Sequence, residues 1–198
     1  MNSTTSVYAP ISHARTAGLS LLATKFGART HVIRRIHVDQ GRDWNEAINL
    51  IGPDTQGTSF VRKPNIGEQY LPVSSQEDEF DVILFSYLGD RSSGEKLDDR
   101  MSSWVQEANV INTNPREVFA IGQRYRNFNT SVYRQAMSIN CPSYCSFIGQ
   151  RHLCFLSYTR SHFSERIAHR SIGLRIRDFL ANEDDWFAFR EPRPELVR

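Results

Sequence analysis

Between residues 116 and 177 the chain carries ten arginines, no lysine and only two acids, Glu117 and Glu165, a local net charge of +8. Interleaved with them are Tyr125, Phe128, Tyr133, Tyr144, Phe147, Phe155, Tyr158 and Phe163, and also His152, His162 and His169. Guanidinium groups fork onto phosphates and rings offer faces on which bases stack, so the two residue types together suit single-stranded nucleic acid. The same rings can instead be the core of this half, with the arginines on its wet side. On the first reading Arg124, Arg126, Arg151, Arg160, Arg166 and Arg170 are the candidate phosphate contacts, and Tyr125 and Tyr158 the candidate stacking rings. That reading requires the arginines to share one exposed surface that no carboxylate of the chain already neutralises.

The basic residues are unevenly typed and unevenly placed. Twenty-one are arginine and three are lysine (Lys25, Lys63 and Lys96). Residues 1–114 hold 11 basic and 14 acidic groups, a net of −3, whereas 115–198 hold 13 and eight, a net of +5. Such an asymmetry also allows head-to-tail self-association, the acidic part of one copy against the basic part of the next. An anionic membrane surface is a further partner class, but no strongly amphipathic basic helix is present to hold it.

Other chemistry is represented by near misses. Cys141, Cys145, His152 and Cys154 have the spacing C-x3-C-x6-H-x-C and can be read as zinc ligands or as core thiols. Cys145 or Cys154 with a histidine would be needed for nucleophilic catalysis, yet no G-x-S-x-G or H-E-x-x-H fixes a partner. Gly89–Gly94 with Lys96 approximates a phosphate loop, but Glu95 precedes the lysine and Leu97 occupies the hydroxyl position. Asp98-Asp99 and Asp184-Asp185 are paired acids, which on a helix or turn do not face one another. His162, Glu165, Arg166 and His169 offer an acid–base group or a solvated face. No cofactor motif is present. Short similarities of Phe80–Tyr87 to the opening strand of Toll/interleukin-receptor domains, and of Ile172–Arg177 to a strand in matrix proteins of some negative-strand RNA viruses, span too few residues to assign a family.

The elements that must position these groups follow from periodicity. Residues 1–16, rich in Ser and Thr, read as a flexible arm and 17–198 as a single α+β domain. Helices are expected at Ala14–Phe26, at Asp43–Ile51 with Asp43 as cap and Glu46 at its third position, and at Glu95–Ala108. Strands are expected at Thr30–Val38, Phe80–Leu88, Tyr144–Ile148, His152–Tyr158, Ile172–Arg177 and Trp186–Phe189, with a possible short one at Ser59–Arg62. Asn114-Pro115 opens a helix through Val118 and Ile121, although Gly122 argues against its continuing and Val118–Ile121 alone would also make a strand. Helices therefore lie mainly in the N-terminal and middle parts, and an antiparallel sheet is concentrated in the C-terminal half.

At 39% hydrophobic and 23% charged, the 198-residue chain falls outside the disordered, collagen and coiled-coil classes. No apolar run reaches the roughly 18–20 residues a membrane helix requires. An odd number of cysteines and an N-terminus without a continuous apolar core lead us to expect an intracellular (cytoplasmic) protein that is not secreted. The composite expectation is a non-catalytic binding or assembly protein, intracellular or viral, whose later half binds RNA or single-stranded nucleic acid. The alternative is an enzyme for a phosphorylated or nucleotide substrate, with arginines as an anion clamp.

Overall fold

The computed structural model describes residues 8–51, 60–70, 77–86, 96–125, 136–161, 164–176, 181 and 183–192, the side chains of 136, 159–161 and 164–169 excepted. Seven strands form one mixed sheet: β1 (Thr30–Asp39), β2 (Glu77–Ser86), β3 (Ile111–Asn112), β4 (Ala136–Phe147), β5 (Gln150–Ser161), β6 (Ser164–Ile176) and β7 (Asp185–Arg190). The order is β1-β2-β7-β4-β5-β6, with β3 added against the end of β7. Every pairing is antiparallel except β4 with β7. The fold is α+β as the sequence implies. The C-terminal half supplies most of the strands, but β1 and β2 belong to the same sheet.

Among the described residues five α-helices cover the two faces: α1 (His13–Lys25), α2 (Trp44–Asn49), α3 (Pro64–Gly67), α4 (Leu97–Ala108) and α5 (Pro115–Arg124). Strand alternation sends Ile83, Phe85, Phe187 and Phe189 toward α1 and α4, where Trp104 stacks on Phe85 with centroids 5.3 Å apart. Val82, Leu84, Trp186 and Ala188 point the other way, toward Trp44 and Ile48 of α2, Ile66 of α3 and Phe119 of α5. The predicted cap of α2 is present: the Asp43 side chain accepts from Glu46 N at 3.0 Å. At α5, Asn114 and Glu117 form a reciprocal capping box, which resolves the ambiguity after Pro115 in favour of helix. Gly122 does not interrupt it because the position must be small; an added Cβ would lie 3.0 Å from Ile51 and 3.1 Å from Leu156. The possible strand at Ser59–Arg62 is not formed at 60–62, which turn into α3 with Pro64 in its first turn.

Two bulges set the functional geometry. In β1 the register shifts between Ile33 and Ile36, so both isoleucines face one core although they are three residues apart. Arg35 takes up the extra length at φ 52°. Buried Asp81 stabilises this conformation: one carboxylate oxygen accepts from Arg35 N at 2.8 Å and Tyr8 OH at 2.6 Å, the other from Ile11 N at 2.8 Å and Arg34 Nη1 at 2.7 Å. Residues 8–12, which the sequence placed in a loose arm, are tied to the sheet by this group and by Arg34, whose Nη1 donates to Ile11 O at 2.5 Å, and Ser12 caps α1 at the arm's end. The second bulge, between Asn140 and Tyr144 of β4, includes Pro142, which cannot donate to a ladder.

Candidate nucleic-acid interface

The β4 bulge turns residues 142–144 toward α4 and β3 and opens a groove of about 600 Å³. Its sides are Asp98, Met101, Ser102 and Val105 of α4, Asn112 of β3, the bulge residues Pro142, Ser143 and Tyr144, and Arg151 of β5. The bulge is fixed from both sides. Ser143 Oγ and Cys141 Sγ donate to Thr113 O at 2.7 and 3.1 Å, while Tyr70 OH donates to Ser143 O at 3.0 Å. Arg151 is exposed and its guanidinium carbon lies over the Tyr144 ring, 4.1 Å from the centroid. Among the described residues no carboxylate lies within ion-pair distance of it. A guanidinium flat on a ring keeps its N–H edges for a bidentate anion, and the ring limits its conformational freedom. Asp98 is occupied differently, as acceptor for Tyr144 OH. Met101, Val105 and Pro142 supply apolar wall against which a planar ring can lie. The groove's described lining includes no histidine, cysteine or lysine, so it offers an anion contact, hydrogen-bonding side chains and a hydrophobic wall without a nucleophile–base pair.

The sequence-predicted residues separate into three groups. Arg151 is in the groove. Arg124 and Tyr125 lie at the end of α5, on the opposite side of the sheet. There Arg124 is exposed, 5.4 Å over the Tyr125 ring, and donates to the carbonyl of Arg35, whose own guanidinium lies 5.5 Å over Tyr8. Tyr158 and Arg170 are interior groups. Tyr158 is 1% exposed, its hydroxyl donates to Tyr125 O at 2.9 Å, and burial pushes its pKa up. Arg170 is 3% exposed and donates to the carbonyls of Ile51 and Gly122, joining the ends of α2 and α5 to β6. Neither reaches an external phosphate or base, which corrects the expectation for both. Arg126 lies outside the described residues, as do Phe128, Tyr133, His162, Phe163 and the Gly89–Gly94 loop. Arg160, Arg166 and His169 are placed only by their backbones in β5 and β6.

The single basic surface is likewise not assembled by the described arginines of 116–177. Arg116 is 5% exposed and donates to carbonyls of Arg42 and Tyr70, and Arg175 pairs with buried Asp185. Together with Arg170, three of the five described side chains are used internally, leaving Arg124 and Arg151 on different faces. Tyr144, Asn112 and Ser143 were not among the predicted site residues. The sequence reading began this strand at Tyr144, after Pro142; β4 in fact runs through the proline from Ala136, and a proline within a strand is a mark of a bulge.

Among the described residues the cysteines are not gathered into a metal-binding cluster. All three are free and buried, and among the described residues no three or more His, Cys, Asp or Glu could hold a metal. Burial pushes the Cys141 thiol up, and its hydrogen bond with Cys145 together with burial does the same for Cys154. A hydrogen bond from Cys154 holds Cys145 below the ordinary thiol range against the effect of burial, with Tyr70 contributing. His152 stands apart, its ring edge-on to Phe147 and its Nδ1 3.1 Å from Gln150 O. No protein-family model, curated protein or solved structure matches the chain.

Proposed function

We propose that this chain is a non-catalytic binding protein for RNA or single-stranded nucleic acid, with the groove between α4 and the β4 bulge as its principal contact. The observation that carries the proposal is Arg151: exposed, laid on Tyr144, and free of any carboxylate partner among the described residues, at the edge of a groove with an apolar wall. One phosphate on Arg151 with its base against Met101, Val105 and Pro142 is the unit contact; Arg124 over Tyr125 is a second and separate anion contact. Three free thiols support an intracellular setting. Head-to-tail self-association has weaker support, because Arg170 and Arg175 of the basic part are already matched within the chain and Arg190 lies 3.1 Å from Glu117.

The test is fluorescence anisotropy of a labelled 12-nucleotide oligouridylate between 50 and 200 mM salt. Each phosphate contact on a single strand contributes about −0.7 to the slope of log K against log salt, so one contact is worth about a two- to threefold loss across that range. Arg151→Ala and Arg124→Ala are each expected to reduce the slope by about 0.7. Undetectable binding at 50 mM, or an unchanged slope in both variants, refutes the proposal. The groove's volume favours a second reading, since it falls in the range of small-molecule sites. If uridine monophosphate binds as tightly as the oligomer, the ligand is a phosphorylated small molecule, as the enzyme alternative requires.

A further inference from the structure

The β4–β5 hairpin closes on Ile148 and Gly149, with φ of 51° and 72°. Successive left-handed residues define the tight hairpin turn that ordinarily takes Asn-Gly, because a β-branched side chain crowds the backbone there. Ile148 is also 81% exposed, so neither the turn nor the core accounts for an isoleucine at this position. A residue that violates local preference and is left largely bare by the described residues points to a partner beyond them.

The surroundings identify the partner's chemistry. Phe60 is 52% exposed and its ring lies 5.5 Å from Phe147, next to Ile148, which extends the apolar surface. Lys63 is exposed, with Nζ 5.4 Å over both the Phe60 and Phe147 rings, and Arg151 lies over Tyr144 on the other face of the hairpin. Among the described residues neither cation has a carboxylate partner, and Glu68 is the one acid in the adjoining segment 60–70. The tip is held rigidly: Gln69 accepts from Ser146 N at 2.6 Å and donates to Ser146 O at 2.9 Å. The arrangement is a projecting apolar point, not a flat patch or a pocket, flanked on both faces by cations backed by rings. That order, apolar side chains outermost with cations and aromatics one level behind, matches the passage from acyl chains to headgroups at a bilayer surface.

We propose that the β4–β5 tip docks on an anionic lipid bilayer, with Ile148 and Phe60 entering below the headgroups and Lys63 and Arg151 contacting lipid phosphate and carboxylate. The inference goes beyond nucleic-acid binding and shares only Arg151 with it, so lipid and nucleic acid compete for that guanidinium.

The test is flotation of the full chain with vesicles of phosphatidylcholine and phosphatidylserine (70:30) against pure phosphatidylcholine at 100 mM salt. Partition is expected into the mixed vesicles only. Ile148→Asn, which suits the turn, should lower it about tenfold, the value of one buried aliphatic side chain. Phe60→Ser tests the same surface without touching the turn and is expected to act in the same direction. Lys63→Gln should lower partition about fivefold, the effect of one basic group at such a surface. The oligouridylate affinity of Ile148→Asn and Phe60→Ser should be unchanged. No partition into the mixed vesicles, equal partition into the neutral ones, or undiminished partition of both Ile148→Asn and Phe60→Ser overturns the proposal.

Discussion

Replacing Asp81 by Asn should release the N-terminal segment from the sheet. The carboxylate's two oxygens each accept two donors, Tyr8 OH with Arg35 N and Ile11 N with Arg34 Nη1. An asparagine keeps one oxygen and turns an NH2 toward the other pair, so two hydrogen bonds become donor–donor contacts and the ion pair is lost. Two net hydrogen bonds at about 1 kcal/mol each, plus a charge-assisted contribution, give about 2–4 kcal/mol. The lower half of that range is the better expectation, because the Arg34 side chain is 39% exposed and its charge is screened. Burial alone would raise the Asp81 pKa, but the hydrogen bonds from Tyr8, Arg35, Ile11 and Arg34 hold it below the ordinary value. A depressed folded-state pKa means that the contribution is present above the unfolded value of about 3.9 and is lost as pH falls through the lower, folded value. Urea unfolding of wild type and Asp81→Asn should therefore differ by about 2–4 kcal/mol at pH 7, and the difference should shrink as pH falls below about 3.9, the unfolded value. Trypsin cleavage at Arg15 at neutral pH should be faster in the variant. A difference under about 0.5 kcal/mol at pH 7, or one that persists undiminished at low pH, refutes the account.

Ile148→Asn should raise stability by about 1 kcal/mol in chemical denaturation, since asparagine tolerates the left-handed turn position. Gly67→Ala should destabilise by about 1–3 kcal/mol although alanine is the better helix former; its Cβ would lie 2.8 Å from Trp44 Cγ, and Trp44 is anchored by its 2.8 Å bond to Val61 O. Thermal or urea midpoints give the sign directly. Arg170→Met should cost about 2–4 kcal/mol through the carbonyls of Ile51 and Gly122 and leave the salt slope of oligouridylate binding unchanged; a reduced slope would return Arg170 to the interface.

The features legible in the sequence were those whose signals are local. Asp43 with Glu46 and Asn114 with Pro115 mark helix starts within four residues, and both Asp43 and Asn114 cap their helices. The bulges at Ile33–Ile36 and Asn140–Tyr144 depend on what lies across the ladder, which no window along the chain contains. Arg170 and Tyr158 are instructive in a different way. Tyr158 is in phase with Cys154 and Leu156, and Arg170 with Ile172 and Leu174, so strand alternation already put both on the face packed against α5. Charge summed over residues 116–177 averages that alternation away, and so arginines that seal the interior were counted with those that meet solvent. The groove was hidden for a further reason: β3, which supplies Asn112, is two residues long and too short to show any period.

The place of β7 within the sheet bears on how the protein can be made. It lies between β2 and β4, so the β1–β2 pair and the strands β4, β5 and β6 have no direct ladder in common. Val82 meets Arg190, and Asn140 meets Phe187, only after residues 185–190 have left the ribosome. During synthesis β2 must wait with one row of amides open, and its Val82–Phe85 stretch is the kind of segment that chains in that state use to stick to one another. Closure over such sequence separations is slow. A nascent chain that stalls before residue 185 therefore leaves two unjoined half-sheets, a state that deletion of β7 would make permanent.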